Sequence, residues 1–293
     1  MSFFAGYGPL VELALLNMVL AFSQYIVLRA GVFSLGSAAF AAVGAYAAAI
    51  LATRHGVPPA LCMVIALVAG GLFGAIVAVP LARLRGVFQA LATLALVQIV
   101  LSLALNWTSL TDGALGINSI PKAVHITEAA IAVVVVAYFL HVIGMSGIGR
   151  GFDIIREDET VAVSLGYDVR KHHMIAFVLS GAIAGLGGAM HAFSSYSITP
   201  NEFGFHMVVM LLAMVVLGGR VSIFGPIVGA LILTGLPELL RGFQDYRSIL
   251  QGALLMVSIT FLPRGIVDTV LGRLRHRSLS RGASAKDRDE VTI

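Results

Sequence analysis

The sequence predicts an all-α fold, a polytopic transmembrane helical bundle of about eight to ten spans. Hydrophobic residues make up 58% of the 293-residue chain and charged residues only 12%, whereas soluble domains contain about 25% charged residues. The mean hydropathy is +0.95. Long uncharged runs recur along the chain, and they show neither the polar face of a soluble core helix nor the alternation of a β-barrel strand. These observations together indicate an integral membrane protein of the helical type.

The uncharged runs define nine candidate spans in chain order. They lie at 10–28, 31–52, 58–81, 87–105, 127–145, 173–193, 203–218, 224–240 and 248–263. Two of them, 31–52 and 224–240, are rich in Gly, Ser and Pro, which either pack helices closely in lipid or interrupt helices along a transport path. We therefore expect these two spans to be tightly packed, broken or re-entrant.

The basic residues give the direction of the spans. With the N-terminus outside and the spans alternating, the loops on one side hold 15 of the 19 Lys and Arg residues and the loops on the other side hold four. Cytoplasmic loops carry such an excess. The sequence therefore predicts an outside N-terminus, with the loop 146–172 and the C-terminus in the cytoplasm. Residues 1–265 form one membrane domain, and the polar, basic segment 266–293 is expected to be a disordered cytoplasmic tail.

Several functional classes lack their motifs in this chain. No GxxxxGK[ST] stretch is present for binding ATP, and no HExxH, GxSxG or CxxC stretch is present for hydrolytic, metal or redox chemistry. The single cysteine, Cys62, stands in an apolar run where a small buried side chain is expected. The N-terminal stretch lacks the basic region of a signal peptide, so no cleavage is expected. We therefore predict a protein that is not an enzyme and that binds no cofactor or metal of its own.

A small polar substrate needs a few polar contacts in an otherwise apolar path. Small or weakly polar residues near the interrupted spans are the candidates for such contacts. The expected path residues are Ser34, Ser37, Phe40, Thr93 and Gln98. The longest outer loop, residues 106–128, is either a docking or gating surface for a partner or a plain solvated connection.

The loop between the fifth and sixth spans is the most charged internal segment, with nine of the 34 charged residues within 150–171. Interpreted as one helix over 152–165, it places apolar residues on one side, and Asp158 interrupts that stripe. Gly166 suits the left-handed residue that ends a helix, and Asp168 suits the cap of the next one. The acids of this helix equal or exceed its bases, which favours docking on a soluble protein over lying on the lipid surface.

Several stretches stand in one order along about residues 30–265. They are GVFSLGSAAFAAVGAY, RLRGVFQALATLALVQI, TDGALGINSIP, GRGFDIIREDETVAVSLG, AFVLSGAIAGLGGAM, VLGGRVSIFGPIVGA with LPELLR, and LPRGI. Taken together and in register, they resemble the LivM-type permease subunits of branched-chain amino acid ABC transporters.

The resemblance implies an importer subunit in the bacterial inner membrane that forms, with a LivH-type sister permease, the path for Leu, Ile, Val or related amino acids. It implies two cytoplasmic ATPase subunits that bind the ATP and a periplasmic amino-acid-binding protein, with no nucleic-acid partner. The IREDE stretch then matches the loop whose short helix enters a cleft of an ATPase subunit. The residues expected at this contact are Arg156, Glu157, Asp158, Glu159, Ala162, Leu165 and Gly166.

Three positions depart from the family pattern. Ser37 stands where His or Gln is frequent, Asp112 where a TGG stretch is usual, and Val161 where the first Ala of a DExAA run is usual. These departures concern the substrate more than the mechanism. The alternatives are a related importer of urea or short amides and, from another class, a stand-alone channel or secondary carrier that needs no ATPase.

Overall fold

The computed structural model of the chain describes the backbone of residues 2–239 and 265–269, and the side chains of residues 8–236 and 265–269. This part of the chain is helical. The helices are α1 (Ser2–Arg29), α2 (Ser37–His55), α3 (Pro59–Leu81), α4 (Val87–Asn106), α5 (Thr108–Thr111), α6 (Ile126–Met145), α7 (Gly147–Glu157), α8 (Glu159–Ser164), α9 (Val169–Ser195), α10 (Phe205–Gly218) and α11 (Phe224–Leu239). Short 3-10 helices lie at Gly113–Leu115 and Pro200–Phe203.

Seven helices within the described residues are long and apolar enough to cross a membrane. They are α1, α2, α3, α4, α6, α9 and, together with the 3-10 helix before it, α10. Each coincides with one of the first seven predicted spans. The polytopic helical bundle predicted from the sequence is therefore confirmed.

The first of the two glycine-rich spans differs from a plain transmembrane helix. Helix α2 begins only at Ser37, so residues 31–36 of the predicted span 31–52 are not helical. This span is therefore broken at its start. Helix α11 covers the predicted span 224–240 up to Leu239, where the described residues pause. The predicted span 248–263 and the tail beyond residue 269 lie outside the described residues.

Helix α9 packs against α1, α2 and α3 in the middle of the bundle. A Cβ added to Gly70 would lie 2.9 Å from the Gly185 Cα, and one added to Gly74 would lie 2.6 Å from the Phe177 carbonyl oxygen. Gly44 of α2 also lies against Gly185. Close approach of this kind holds helices together in lipid, where burial of apolar surface gives little drive for their association. The close packing that is one of the two alternatives for the span 31–52 is therefore observed at Gly44.

Contacts between connecting segments show which of these segments lie at the same end of the bundle. At one end Gly31 packs on Arg156, and Arg85 pairs with Glu159 at 2.7 Å. At the other end Ile117 forms an antiparallel bridge with Ile198. The segments 30–36, 82–86 and 146–168 therefore share one end, as the alternating direction of the predicted spans requires.

The charged loop is not the single helix over 152–165 that the periodicity predicts, and that prediction is wrong. Helix α7 ends at Glu157, Asp158 takes an extended conformation with φ −158° and ψ 115°, and α8 begins at Glu159. The Asp158 carboxylate caps α8 by accepting hydrogen bonds from backbone amides of its first turn. Asp158 therefore separates two helices and does not interrupt an apolar stripe.

Candidate functional site: the charged loop and the buried polar cluster

Helix α7 turns its apolar side chains towards the bundle. Phe152 and Ile155 are buried. Ile155 packs with Ala162 of α8 and Val169 of α9, so that the three helices share a small apolar cluster. The burial of Ala162, one of the residues predicted to contact a partner, shows that it supports the loop from the inside.

The charged side chains of α7 divide between the bundle and the solvent. The Arg156 side chain is mostly buried, and its guanidinium lies 3.3 Å from Asp153 and 3.2 Å from Glu157. Asp153 also accepts two hydrogen bonds from Arg29 at 2.9 and 3.1 Å. Glu157 is exposed. Of the charges predicted for docking on this helix, Glu157 is therefore the one that the structure presents to a partner.

Asp158 holds the turn between α7 and α8. Its Oδ1 atom accepts hydrogen bonds from the amides of Thr160 at 2.7 Å and Val161 at 3.2 Å. The hydrogen bonds from Val161 and Thr160 hold the pKa of the Asp158 carboxyl below its ordinary value, because they favour the charged form. The neighbouring Glu159 pairs with Arg85 at 2.7 Å. The start of α8 is thus capped and tied to the α3–α4 connection.

Three apolar side chains of α8 and its C-terminal end are exposed. Val161, Val163 and Leu165 are 50%, 61% and 62% exposed. Exposed apolar side chains beside charged residues mark a surface for contact with a protein or membrane. Leu165 was predicted to lie at such a contact, whereas Val163 was not among the predicted residues.

Gly166 and Asp168 connect α8 to α9 as predicted. Gly166 has φ 84°, in the left-handed region that favours glycine. The Asp168 carboxylate accepts a hydrogen bond from the Lys171 amide at 3.1 Å and caps α9. The same hydrogen bond holds the pKa of the Asp168 carboxyl below its ordinary value. Both local predictions are confirmed, and α8 is bounded by defined turns at each end.

Polar side chains meet beside the non-helical segment 30–36. The side chains of Gln24, Ser34, Ser37 and Thr93, here called the polar cluster, are all buried. The Ser37 hydroxyl donates to the Gln24 side-chain oxygen at 2.8 Å, and the Gln24 amide donates to the Ser34 carbonyl oxygen at 2.7 Å. The Thr93 hydroxyl accepts a hydrogen bond from the Leu35 amide at 2.9 Å. Three predicted path residues therefore come together in the fold.

These hydrogen bonds give the polar cluster a structural role. The segment 30–36 has buried backbone groups that no helix satisfies, and such groups cost free energy unless they are paired. The Ser34 hydroxyl accepts a hydrogen bond from the Gly36 amide at 3.2 Å, and Gln24 and Thr93 pair two other backbone groups of the segment. A substrate that reached this point would have to replace hydrogen bonds that already exist.

The other two predicted path residues lie apart from the polar cluster. Phe40 is buried, and its ring meets the Phe73 ring edge-on with centroids 5.9 Å apart. Gln98 is exposed on α4, in line with Ser102 and Asn106 on successive turns. These three polar residues, here called the α4 polar face, line a surface cavity of about 390 Å³. The five predicted residues therefore do not form a single lining.

The exposed faces of α3 and α4 differ in polarity. The exposed side chains of α3 include Leu61, Val64, Val68, Leu72 and Ile76. Helix α4 also exposes Ile99 and Leu103, but beside them the α4 polar face presents two amides and a hydroxyl. Polar groups without partners are costly in the hydrocarbon region. The α3 face is therefore suited to lipid, whereas the α4 polar face is suited to water or to another polypeptide.

Sequence reasoning missed Arg29, Asp153, Gln24 and Val163 as residues of the site. A buried glutamine or arginine near a helix end gives no local pattern that identifies its partner. A usable signal existed for Val163, because it is an apolar residue just before two helix-capping candidates, Gly166 and Asp168, in a segment already predicted to dock. In the part of the chain that the structure describes, no three His, Cys, Asp or Glu side chains converge as metal ligands.

The comparisons with known proteins identify transport permeases as the relatives of this chain. Residues 10–259 match the family model described as branched-chain amino acid transport system / permease component. The chain is 29% identical to the high-affinity branched-chain amino acid transport system permease protein LivM of Escherichia coli K12, over 95% of this chain and 73% of that protein. It is 28% identical to the LivM protein of Salmonella typhimurium, over 93% of this chain and 72% of that protein.

Relatives of the sister type are also found. The chain is 24% identical to a probable branched-chain amino acid transport permease protein LivH of Methanocaldococcus jannaschii, over 92% of both proteins. No solved structure matches this chain. The relatives are transport permeases of both the LivM and LivH kinds.

Proposed function

This chain belongs to the family of branched-chain amino acid transport system permease components, and on that premise we propose that it forms, with a sister permease, the translocation path of an importer driven by separate ATPase subunits. It has the membrane-spanning helices that a multi-pass permease needs. Relatives named LivM and LivH support a pair of related permeases in one transporter. A periplasmic binding protein would deliver the amino acid, and the ATP would be bound on the ATPase subunits.

The exposed apolar side chains of α8 and its C-terminal end are the observation that carries this proposal. Val161, Val163 and Leu165 present apolar surface outside the bundle, while α7 behind them is packed against it. A helix as short as α8 does not persist alone in water, but here a cap and a glycine turn fix its ends. This geometry supports docking on a soluble protein, and an ATPase subunit is the partner that the family supplies.

Uptake by the reconstituted complex tests this function. The purified complex would be offered Leu, Ile, Val, other neutral amino acids and urea, with and without ATP. We expect ATP-dependent accumulation of the branched-chain amino acids and hydrolysis stimulated by them. Accumulation of urea instead would assign a related importer, and accumulation without ATP would indicate a carrier or channel.

We propose that the α4 polar face lines the path between the two permeases, with the polar cluster shaping the path from behind. An exposed amide such as Gln98 requires a polar or protein environment in the membrane. Gln98→Trp should therefore reduce uptake while the complex still assembles. Val68→Trp, on the apolar face of α3, is the matched control and should transport as the parent does. Equal uptake by both variants would remove the α4 polar face from the path.

The proposed orientation places the N-terminus outside and the charged loop in the cytoplasm. The excess of 15 basic residues over four on the two sides supports it. In a Cys62→Ser background, an impermeant maleimide added outside should label a cysteine at position 118 and miss cysteines at 157 and 284. Labelling at 157 would reverse the proposed orientation.

A further inference from the structure

A largely buried ion pair joins α7 to the end of α1. The Arg29 Nε and Nη2 atoms donate to the two carboxylate oxygens of Asp153 at 3.1 and 2.9 Å. The Arg29 side chain is 11% exposed and the Asp153 side chain is 39% exposed. Two parallel hydrogen bonds from one planar guanidinium fix both the distance and the orientation of the carboxylate. Helix α7 is therefore held against α1 in a single geometry.

Other elements hold the same guanidinium in place. Its Nη1 atom lies 3.4 Å from the Tyr25 hydroxyl, which donates a hydrogen bond to the Val221 carbonyl oxygen at 2.9 Å. Gly144 near the end of α6 packs directly on it, because an added Cβ would lie 2.7 Å from Nη1. The Arg29 guanidinium thus links α7 with α1, α6 and the α10–α11 connection.

A second contact leads from α7 to the polar cluster. The Gly31 backbone packs on Arg156, where an added Cβ would lie 3.1 Å from the Arg156 Cα. Three residues along the chain, the Ser34 carbonyl oxygen accepts the hydrogen bond from Gln24 at 2.7 Å. The segment 30–36 therefore lies between the inner surface of the charged loop and the polar cluster, and it is continuous with Arg29.

We propose that Arg29 and Asp153 form the mechanical joint through which a movement of the charged loop reaches the polar cluster, a role that rests on the proposed function. Both are positioning residues, since neither contacts substrate or ATP. Separating them would leave a largely buried guanidinium unpaired, and an unpaired buried charge is strongly unfavourable. Helix α7, the end of α1 and the segment 30–36 consequently move as one body.

Replacing the ion pair by a covalent link tests the joint. In a Cys62→Ser background, Arg29→Cys with Asp153→Cys removes the pair, and a short bis-maleimide then links the two positions. The purified complex with its ATPase subunits is reconstituted in vesicles, and leucine uptake is divided by ATP hydrolysis before and after linking. Arg83→Gln, which removes an exposed arginine at the same end of the bundle, is the matched control for the loss of charge.

We expect the double variant to retain its ATPase subunits. The ratio of leucine uptake to ATP hydrolysis should fall about tenfold, which is within the usual size of a coupling between distant sites. The link, verified by mass spectrometry, should restore most of the lost ratio. If the defect came only from removed side-chain packing, the link would not restore it. The Michaelis constant for leucine should change by less than about twofold, because uniform substrate binding is not altered. The control variant should keep the parent ratio.

Two results would overturn the joint: an unchanged ratio in the double variant, or a loss that persists after the link has formed. If the cysteine pair prevents assembly, Arg29→Lys replaces it, because lysine keeps the charge without the bidentate geometry. If Arg29 and Asp153 form the joint, the Arg29→Lys variant should have a lower ratio of leucine uptake to ATP hydrolysis than the parent. A ratio equal to that of the parent would overturn the joint. A parent complex that accumulates no substrate with ATP would overturn the proposed function itself, and the joint with it.

Discussion

Helices α7 and α8 are consecutive in the charged loop, yet they use their side chains in opposite ways. Helix α7 buries Phe152 and Ile155 and directs Asp153 to an arginine of the bundle. Helix α8 buries only its alanine and exposes Val163 and Leu165. One helix is therefore packed into the membrane domain, and the other carries the exposed apolar side chains of the loop. The charge of the loop serves both purposes, as an internal ion pair in α7 and as helix caps around α8.

Introducing a charge into the buried face of α7 should have the largest effect. Ile155→Asp would place an unpaired carboxylate against Ala162 and Val169, which costs about 3 kcal/mol or more. We expect a lower melting temperature of the permease pair purified without its ATPase subunits. Val163→Asp on α8 is the matched control, and its effect on the free energy of unfolding should stay within about 0.5 kcal/mol. Similar destabilisation by both would mean that the two helices do not differ in burial.

The same substitution on α8 should instead weaken docking. Val163→Asp puts a charge at one of the exposed apolar positions of α8, and a residue that becomes buried in an interface is worth about 2 kcal/mol, or about 30-fold in affinity. The measurement is the affinity of ATPase subunits for permease pairs purified without them. Ser164→Ala, on the neighbouring position of α8, is expected to bind as the parent does. Parent affinity in Val163→Asp would remove α8 from the interface.

Gly166→Val should have a moderate effect on the same binding. The glycine has φ 84° with open space around it, so the cost comes from the backbone alone and is roughly 1–2 kcal/mol. We expect fewer ATPase subunits per permease because the end of α8 shifts. Gly166→Asn tolerates the left-handed conformation better and should retain more of them. If Val and Asn behave alike, the turn does not position α8.

The smallest effect is expected at the Asp158 cap. Asp158→Asn keeps an oxygen that can accept from the amides of Thr160 and Val161, whereas Asp158→Ala removes it. Hydrogen exchange of these two amides should therefore be faster in the alanine variant than in the asparagine variant. Equal rates in the two variants would show that the cap does not order α8.

The lowered pKa of Asp158 sets the sign of a pH effect. A depressed carboxyl pKa gives stability that is present above the ordinary value of about 3.9 and is lost as the pH falls through the lowered value. The Asp158 carboxyl therefore stays charged between about pH 8 and pH 5. Its titration should not change the number of ATPase subunits retained in that range. A loss within that range that Asp158→Asn abolishes would contradict the sign.

The spans and local turns could be predicted because their signals are local. Length and hydropathy identify a membrane helix, and Gly166 and Asp168 act within their own turns. The break at Asp158 could not be read from periodicity, since an acidic residue inside an apolar stripe and an acidic cap between two helices give nearly the same spacing. The Arg29–Asp153 pair and the polar cluster depend on contacts between distant segments, which packing of the whole bundle determines.

Cross-linking from α8 shows directly whether this helix contacts an ATPase subunit. A photoreactive amino acid at position 163 would be activated in the intact complex, with position 68 on the apolar face of α3 as the comparison. We expect position 163 to form an adduct with an ATPase subunit and position 68 to form none. Adducts of position 163 with lipid or the sister permease, and none with an ATPase subunit, would rule out docking through α8.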